Sequence, residues 1–255
     1  MQGIFKKYLQ TFFFGIFCLG ATAYSVDITV TPMQVTFDSK QKMNDIRVEN
    51  KTTSKKAYVG ITLSKVLNPG KPNQHDQKVE YSALNPLLIT PSKLIVSPKG
   101  VRIARAIYMH NNTEVNEDTM YHILFKPMSG KLISLKKDDT QSKESKSIDA
   151  AVSITISYNV NAFVLATHPK YDIQVERSHK KLTLNNKGNV YTKVEHLYYC
   201  KNPLQKQTCI EEENLPIMGA FPHMQKSYTL KKDMPVRLEM TFLHKIQKPY
   251  IIYSK

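Results

Sequence analysis

The residues Ile148 to Phe163, IDAAVSITISYNVNAF, narrow the choice of fold more than any other stretch of this chain. From Val152 the side chains alternate without a break. Val152, Ile154, Ile156, Tyr158 and Val160 fall on one face, and Ser153, Thr155, Ser157, Asn159 and Asn161 on the other. A period of two rich in β-branched residues describes a strand with one apolar face. Just before it runs KKDDTQSKESKS, Lys136 to Ser147, a polar loop with no large apolar residue. Such a strand has two readings. Its apolar face packs inward as in any sandwich, or part of it is offered to another protein.

The rest of the chain repeats the β texture. VDITVTPMQVTF (Val26–Phe37) is β-rich but broken at Pro32, which suits an edge position or a strand that switches sheets. DIRVEN and KKAYVGITLSKVLNPG follow, the latter closing on an Asn68-Pro69-Gly70 turn, and Lys71 to Lys78 reads as a polar loop. Leu87-Leu88-Ile89, SKLIVSPKG, Val101–His110 with Arg105 turned outward, and MYHILFKPM stopped by Pro127 complete the run before the alternating strand. No window before Val152 carries the i, i+3, i+4 pattern of a helix. Short strands at such spacing, punctuated by Pro and Gly, predict an immunoglobulin-like sandwich. After Pro169 a second set begins, KLTLNN, NVYTKVEHLYYC, SYTLKK, VRLEMTFLHK and KPYIIYSK. The expected class is therefore all-β, with two immunoglobulin-like sandwiches in tandem. The expected boundaries are 24–166 for the first, carrying the alternating strand, and 167–255 for the second.

Residues 1–23 are expected to be a cleaved signal peptide: Lys6 and Lys7, an apolar run from Tyr8 to Leu19, then Ala21-Thr22-Ala23. The run is too short to span a bilayer comfortably, so no membrane span is expected. Its loss removes two lysines from a net charge of +15, leaving +13, with the remaining lysines spread along the chain. Export argues against a nucleic-acid partner and leaves an acidic protein partner open. It also places Cys200 and Cys209 in an oxidising compartment, where a disulfide is the default.

Catalysis is not indicated. The eight histidines (75, 110, 122, 168, 179, 196, 223 and 244) form no i, i+2 or i, i+4 pair, so no metal or other cofactor is expected. There is no G-x-S-x-G, H-E-x-x-H, P-loop or glycine-rich dinucleotide turn. The Glu211-Glu212-Glu213 run reads as a solvated turn.

The order of these parts resembles a known family. The block Thr90-Pro91, Leu94, Pro98, Gly100 and Arg102 or Arg105 is similar to the signature of the PapD-like periplasmic pilus chaperones. GNVYTKVEHLYYC with a second cysteine at 209 resembles the alternate (alpha-fimbria) branch of chaperone–usher systems. The resemblance implies a non-enzymatic periplasmic protein that stabilises fimbrial subunits by donor-strand complementation and passes them to an outer-membrane usher. The chaperone's strand completes a subunit's unfinished sheet, with Val152, Ile154, Ile156, Tyr158 and Val160 as the subunit-binding residues. In such chaperones an Arg and a Lys hold the subunit's terminal carboxylate; the matching positions here are Gln34 and Asn161, both uncharged. The carboxylate is then held by these amides, or reached by a basic residue such as Lys170, or docked differently. Self-association of the free protein is left open. The rival reading is a secreted adhesin or structural pilus subunit, which would carry its alternating segment at the N-terminus rather than in mid-chain.

Overall fold

In the computed structural model, residues 27–80, 86–109, 114–128, 155–212, 218–244 and 250–254 are described. The expected signal peptide, Val152, Ile154 and the Lys136–Ser147 loop lie outside them. Apart from one short 3-10 turn at Lys206–Thr208, every regular element among the described residues is a strand.

Among the described residues the first half contains ten strands in two layers. β1 (Ile28–Thr31), β3 (Met43–Asn50), β8 (Val101–Tyr108) and β6 (Leu87–Thr90) form one sheet in the order β1-β3-β8-β6. The second sheet runs β2 (Gln34–Phe37), β10 (Tyr158–Val164), β9 (Thr119–Met128), β4 (Ala57–Leu67) and β5 (His75–Lys78), and β7 (Lys93–Val96) pairs with the start of β4. Pro32 separates β1 in one sheet from β2 in the other, and Pro91 separates β6 from β7 in the same way. Missing an N–H, each proline stands where the ladder must be left anyway. The alternation on each strand decides what faces inward: Ile46 and Val48, Val59 and Ile61, Ala104 and Ala106, Ile123 and Phe125 meet in one core. Arg105 points outward, as expected, and its Nε donates to Asp45 Oδ1 at 2.7 Å.

β11 (Ile173–Ser178), β12 (Lys181–Asn186) and β16 (Met224–Thr229) form a three-stranded sheet in the second half. It packs on β14 (Cys209–Glu211), β13 (Thr192–Cys200), β17 (Val236–Phe242) and β18 (Tyr250–Ser254), with β15 (Met218–Ala220) on the far end of β13. Leu182, Leu184, Leu197, Val236, Leu238 and Met240 fill a separate core. The two halves share no sequence repeat, yet among the described residues each buries one asparagine at the end of a strand. Asn50 donates to the carbonyls of Lys55 and Val96, and Asn186 to those of Val190 and Ala220.

Three expectations need correcting. The polar stretch before Lys78 contains an edge strand, β5, with all four residues exposed. The second set of strands starts earlier than KLTLNN, with β11 at Ile173–Ser178. Of the acidic run, Glu212 is no solvated residue: its side chain is 11% exposed and accepts from Lys231 Nζ.

Candidate functional site

The alternating stripe is divided in two by the structure. β10 begins at Tyr158; Thr155, Ile156 and Ser157 are described but lie outside any strand. Val160, Ala162 and Val164 belong to the first core, and Tyr158 packs against it half-buried. Val160 is 0% exposed, which corrects the expectation that it is offered to a partner: its methyl groups are already used. Ile156 stands two positions before Tyr158 in the same alternation and is 58% exposed. A neighbour two positions along a strand shares its face, so the core face of β10 leads toward a side chain that the chain itself leaves uncovered.

The opposite face of the same sheet carries a polar row. In register, Gln34 on β2 stands beside Asn161 on β10, Asn161 beside His122 on β9, His122 beside Ser64 on β4, and Ser64 beside Lys78 on β5. At about 4.8 Å per strand the row crosses roughly 19 Å of sheet. Gln34 and Asn161, the positions singled out by the resemblance, are thus brought together on adjacent strands. The sequence reading missed His122, whose Nδ1 lies 2.9 Å from Asp76 Oδ2 and whose side chain is 13% exposed. Its partner is 46 residues away on the edge strand that looked like a loop, so no local spacing could reveal it. Lys170 does not join the row: its ammonium is 3.5 Å from Asp172. Its backbone is tied to Asn189, and a Cβ at Gly188 would come within 2.1 Å of the Lys170 carbonyl oxygen, so only glycine fits there.

The row looks onto the second half. Phe163, two residues beyond Asn161 on the same face, meets the rings of Tyr191 at 5.6 Å and Phe221 at 6.4 Å. The Asn68-Pro69-Gly70 turn reaches the same region: Gly70 has φ +75°, and a Cβ there would lie 3.3 Å from Phe221 and 3.1 Å from Met224. Asp118, with its side chain 0% exposed, closes the joint. Its Oδ1 accepts from the Ala166 N–H at 2.8 Å and lies 2.9 Å from His244 Nε2, while Oδ2 accepts from the Tyr191 N–H at 2.8 Å. One carboxylate therefore binds the linker and two segments of the second half. Asn189 adds two more bonds, from its Nδ2 to the carbonyls of Asn116 and His168.

Farther out, Cys200 and Cys209 are register partners on β13 and β14 and are joined by a disulfide, as expected from their number and compartment. Beside them burial would raise the Glu239 carboxyl, but Lys206 and Arg237 outweigh it and hold the group below its ordinary value. In the first core, burial pushes the Tyr121 hydroxyl up to about 12. Among the described residues no cluster of His, Cys, Asp and Glu could hold a metal, and no helix is long and apolar enough to cross a membrane.

No family model matches the chain. One curated relative, a CFA/I fimbrial subunit from Escherichia coli, is 24% identical over 158 residues, which are 61% of this chain and 61% of that protein. Solved structures match over more of the length. The class 5 fimbriae chaperone CfaA superposes with a TM-score of 0.61 at 17% identity, covering 90% of this chain and 99% of that one. A chain of a chaperone–tip adhesin complex of CFA/I fimbriae biogenesis gives 0.59 at 18%, covering 89% and 98%. The E. coli chaperone DraB gives 0.57 at 11%, covering 91% and 98%. Together with its two β-sandwich cores, these likenesses show that the chain shares the fold of these solved chains, two immunoglobulin-like sandwiches in tandem.

Proposed function

We propose that this chain is a non-enzymatic periplasmic chaperone that stabilises fimbrial subunits by donor-strand complementation and delivers them to an outer-membrane usher. The observation that carries this is the division of the stripe: Val160 is sealed in the core while Ile156, on the same alternation, is 58% exposed. A subunit lacking one strand presents an apolar groove and unpaired backbone. The segment before Tyr158 would supply both needs, its backbone extending the subunit's sheet and Ile156, Ile154 and Val152 filling the groove. Because these residues alternate with Val160, the subunit's core would continue the chaperone's own. The fold shared with solved pilus chaperones supports the reading, as does the expected signal peptide at 1–23 for the compartment.

The proposed units are 24–166 and 167–255, consistent with cores that end at Val164 and resume at Ile173. We place the subunit's C-terminus at the Gln34–Asn161 pair, where amide donors would meet its carboxylate without an Arg or Lys.

The test is co-expression in a periplasm with the products of neighbouring genes, followed by capture on a tagged chain. Recovery of a stoichiometric complex with a small β-rich subunit, lost in Ile156→Asp, is the expected result. A soluble chain that captures nothing, with the subunits stable in its absence, would overturn it.

A further inference from the structure

The two ladders that flank β9 do not end together. Against β4 the register runs through Val59↔Pro127 to Tyr58↔Met128. Against β10 it stops at Tyr158↔Phe125. One hydrogen bond reveals which way the backbone groups point. The Ile61 N–H donates to the Ser92 carbonyl at 2.8 Å, on the side of β7, and so not to Phe125, its partner on β9. Hydrogen-bonded and non-hydrogen-bonded pairs alternate along an antiparallel ladder, and residues two apart turn their groups the same way. Val59 therefore also faces away from β9, and Val59↔Pro127 is a non-hydrogen-bonded pair. That pairing is the one a proline tolerates. It follows that Phe125 and Pro127 both direct their backbone toward the β10 side. Phe125 has an N–H to give there. Pro127 has none.

Continuing the register of β10 by two residues sets Ile156 opposite Pro127. At that rung one of the pair's two bonds cannot form, and there the strand ends: Thr155, Ile156 and Ser157 are exposed and outside any strand. Among the described residues their other edge is open as well, because β2 pairs with β10 only from Asn161 onward. A segment free on both edges can enter between two strands of another sheet rather than add to its rim.

We propose that Pro127 is a built-in stop that keeps Thr155, Ile156 and Ser157 from zipping onto the chain's own sheet, holding both edges of these residues free for a partner sandwich that lacks a strand. The proposal rests on the chaperone reading for its partner, but its first test does not. Hydrogen exchange of the free protein reads the amides of 155–157 directly. In the wild type they exchange far faster than those of Val160 and Ala162. In Pro127→Val, which restores the N–H on a β-favouring residue, their exchange slows about tenfold, the effect of one added backbone bond, and capture of a subunit slows with it. Pro127→Ala restores the same N–H with less bulk and serves where the valine does not fold. Wild-type amides at 155–157 already as protected as those of Val160 would overturn the stop. So would folded variants with unchanged exchange there. A wild type that captures no subunit, with exchange behaving as stated, would sink the chaperone reading and leave the stop standing.

Discussion

The division of the stripe between Val160 and Ile156 makes a paired prediction that separates folding from binding. Val160→Ala removes two methyl groups from a side chain that is 0% exposed. The transfer loss plus the cavity left behind come to about 2 kcal/mol. For a sandwich of this size that is a drop of roughly 5–10 °C in Tm. Ile156→Ala should behave in the opposite way. Full burial of such a side chain is worth about 1.5–3 kcal/mol. With 58% of it still exposed in the free protein, roughly 1–2 kcal/mol remains to be gained on docking. The free variant should melt within about 1–2 °C of wild type, since exposed positions contribute little, while affinity for a subunit falls about 5- to 25-fold. Thermal unfolding by circular dichroism reads the first quantity, and surface plasmon resonance on an immobilised subunit the second. The reasoning fails if Ile156→Ala lowers Tm as much as Val160→Ala does, or if the two variants lose affinity equally after correction for unfolding.

Three further outcomes follow from the joint, the disulfide and the first core. Asp118→Ala leaves the Ala166 and Tyr191 N–H groups without their acceptor. At about 1–3 kcal/mol per orphaned buried donor it should lower Tm and raise amide exchange at both positions, whereas Asp118→Asn, which keeps an acceptor oxygen, should lose less. Cys200→Ser with Cys209→Ser opens the short loop closed by the disulfide and should cost about 2–3 kcal/mol, seen in urea titration as a shift confined to signals of the second half. The Tyr121 hydroxyl, held at about 12 by burial, keeps its proton in the folded chain at a pH where the unfolded chain has lost it. Its contribution is therefore intact below pH 10 and declines between pH 10 and 12, by at most roughly 3 kcal/mol. Tyr121→Phe should flatten that part of a stability–pH curve, and an unchanged slope would count against the buried hydroxyl.

Much of this architecture was legible in the chain because strand signals are local. Alternation located β3, β4, β8, β9 and β10, and Pro32 marked the point where the chain changes sheets. The disulfide followed from two cysteines and a compartment. What escaped was non-local. β5 reads HDQK, with no apolar residue to mark it, because an edge strand held by one neighbour needs no buried face. β14 and β15 are three residues each, shorter than any period can show. The alternation named the right face of β10 but could not say where the core stops, since Val160 and Ile156 are the same kind of residue. That limit is set by where β9 ceases to pair, and so by Pro127, which the sequence offered only as a strand end. The His122–Asp76 contact and the Asp118 joint join residues dozens of positions apart, and nothing in the spacing of their neighbours foretells them.

The pairing of β2 with β10 also bears on how the protein reaches its folded state. Gln34 and Asn161 are parallel neighbours separated by more than a hundred residues, so the first sandwich is closed by contacts of very high sequence separation. Topologies of that kind fold slowly, because the entropy of closing the loop is lost before any bond repays it. As the chain emerges N-terminus first, β2 must wait, its edge bare, until the residues around Val164 have emerged. Until then the chain has the same defect that it is proposed to correct in others: a sandwich short of its last strand, prone to collapse with its neighbours and in need of quick completion.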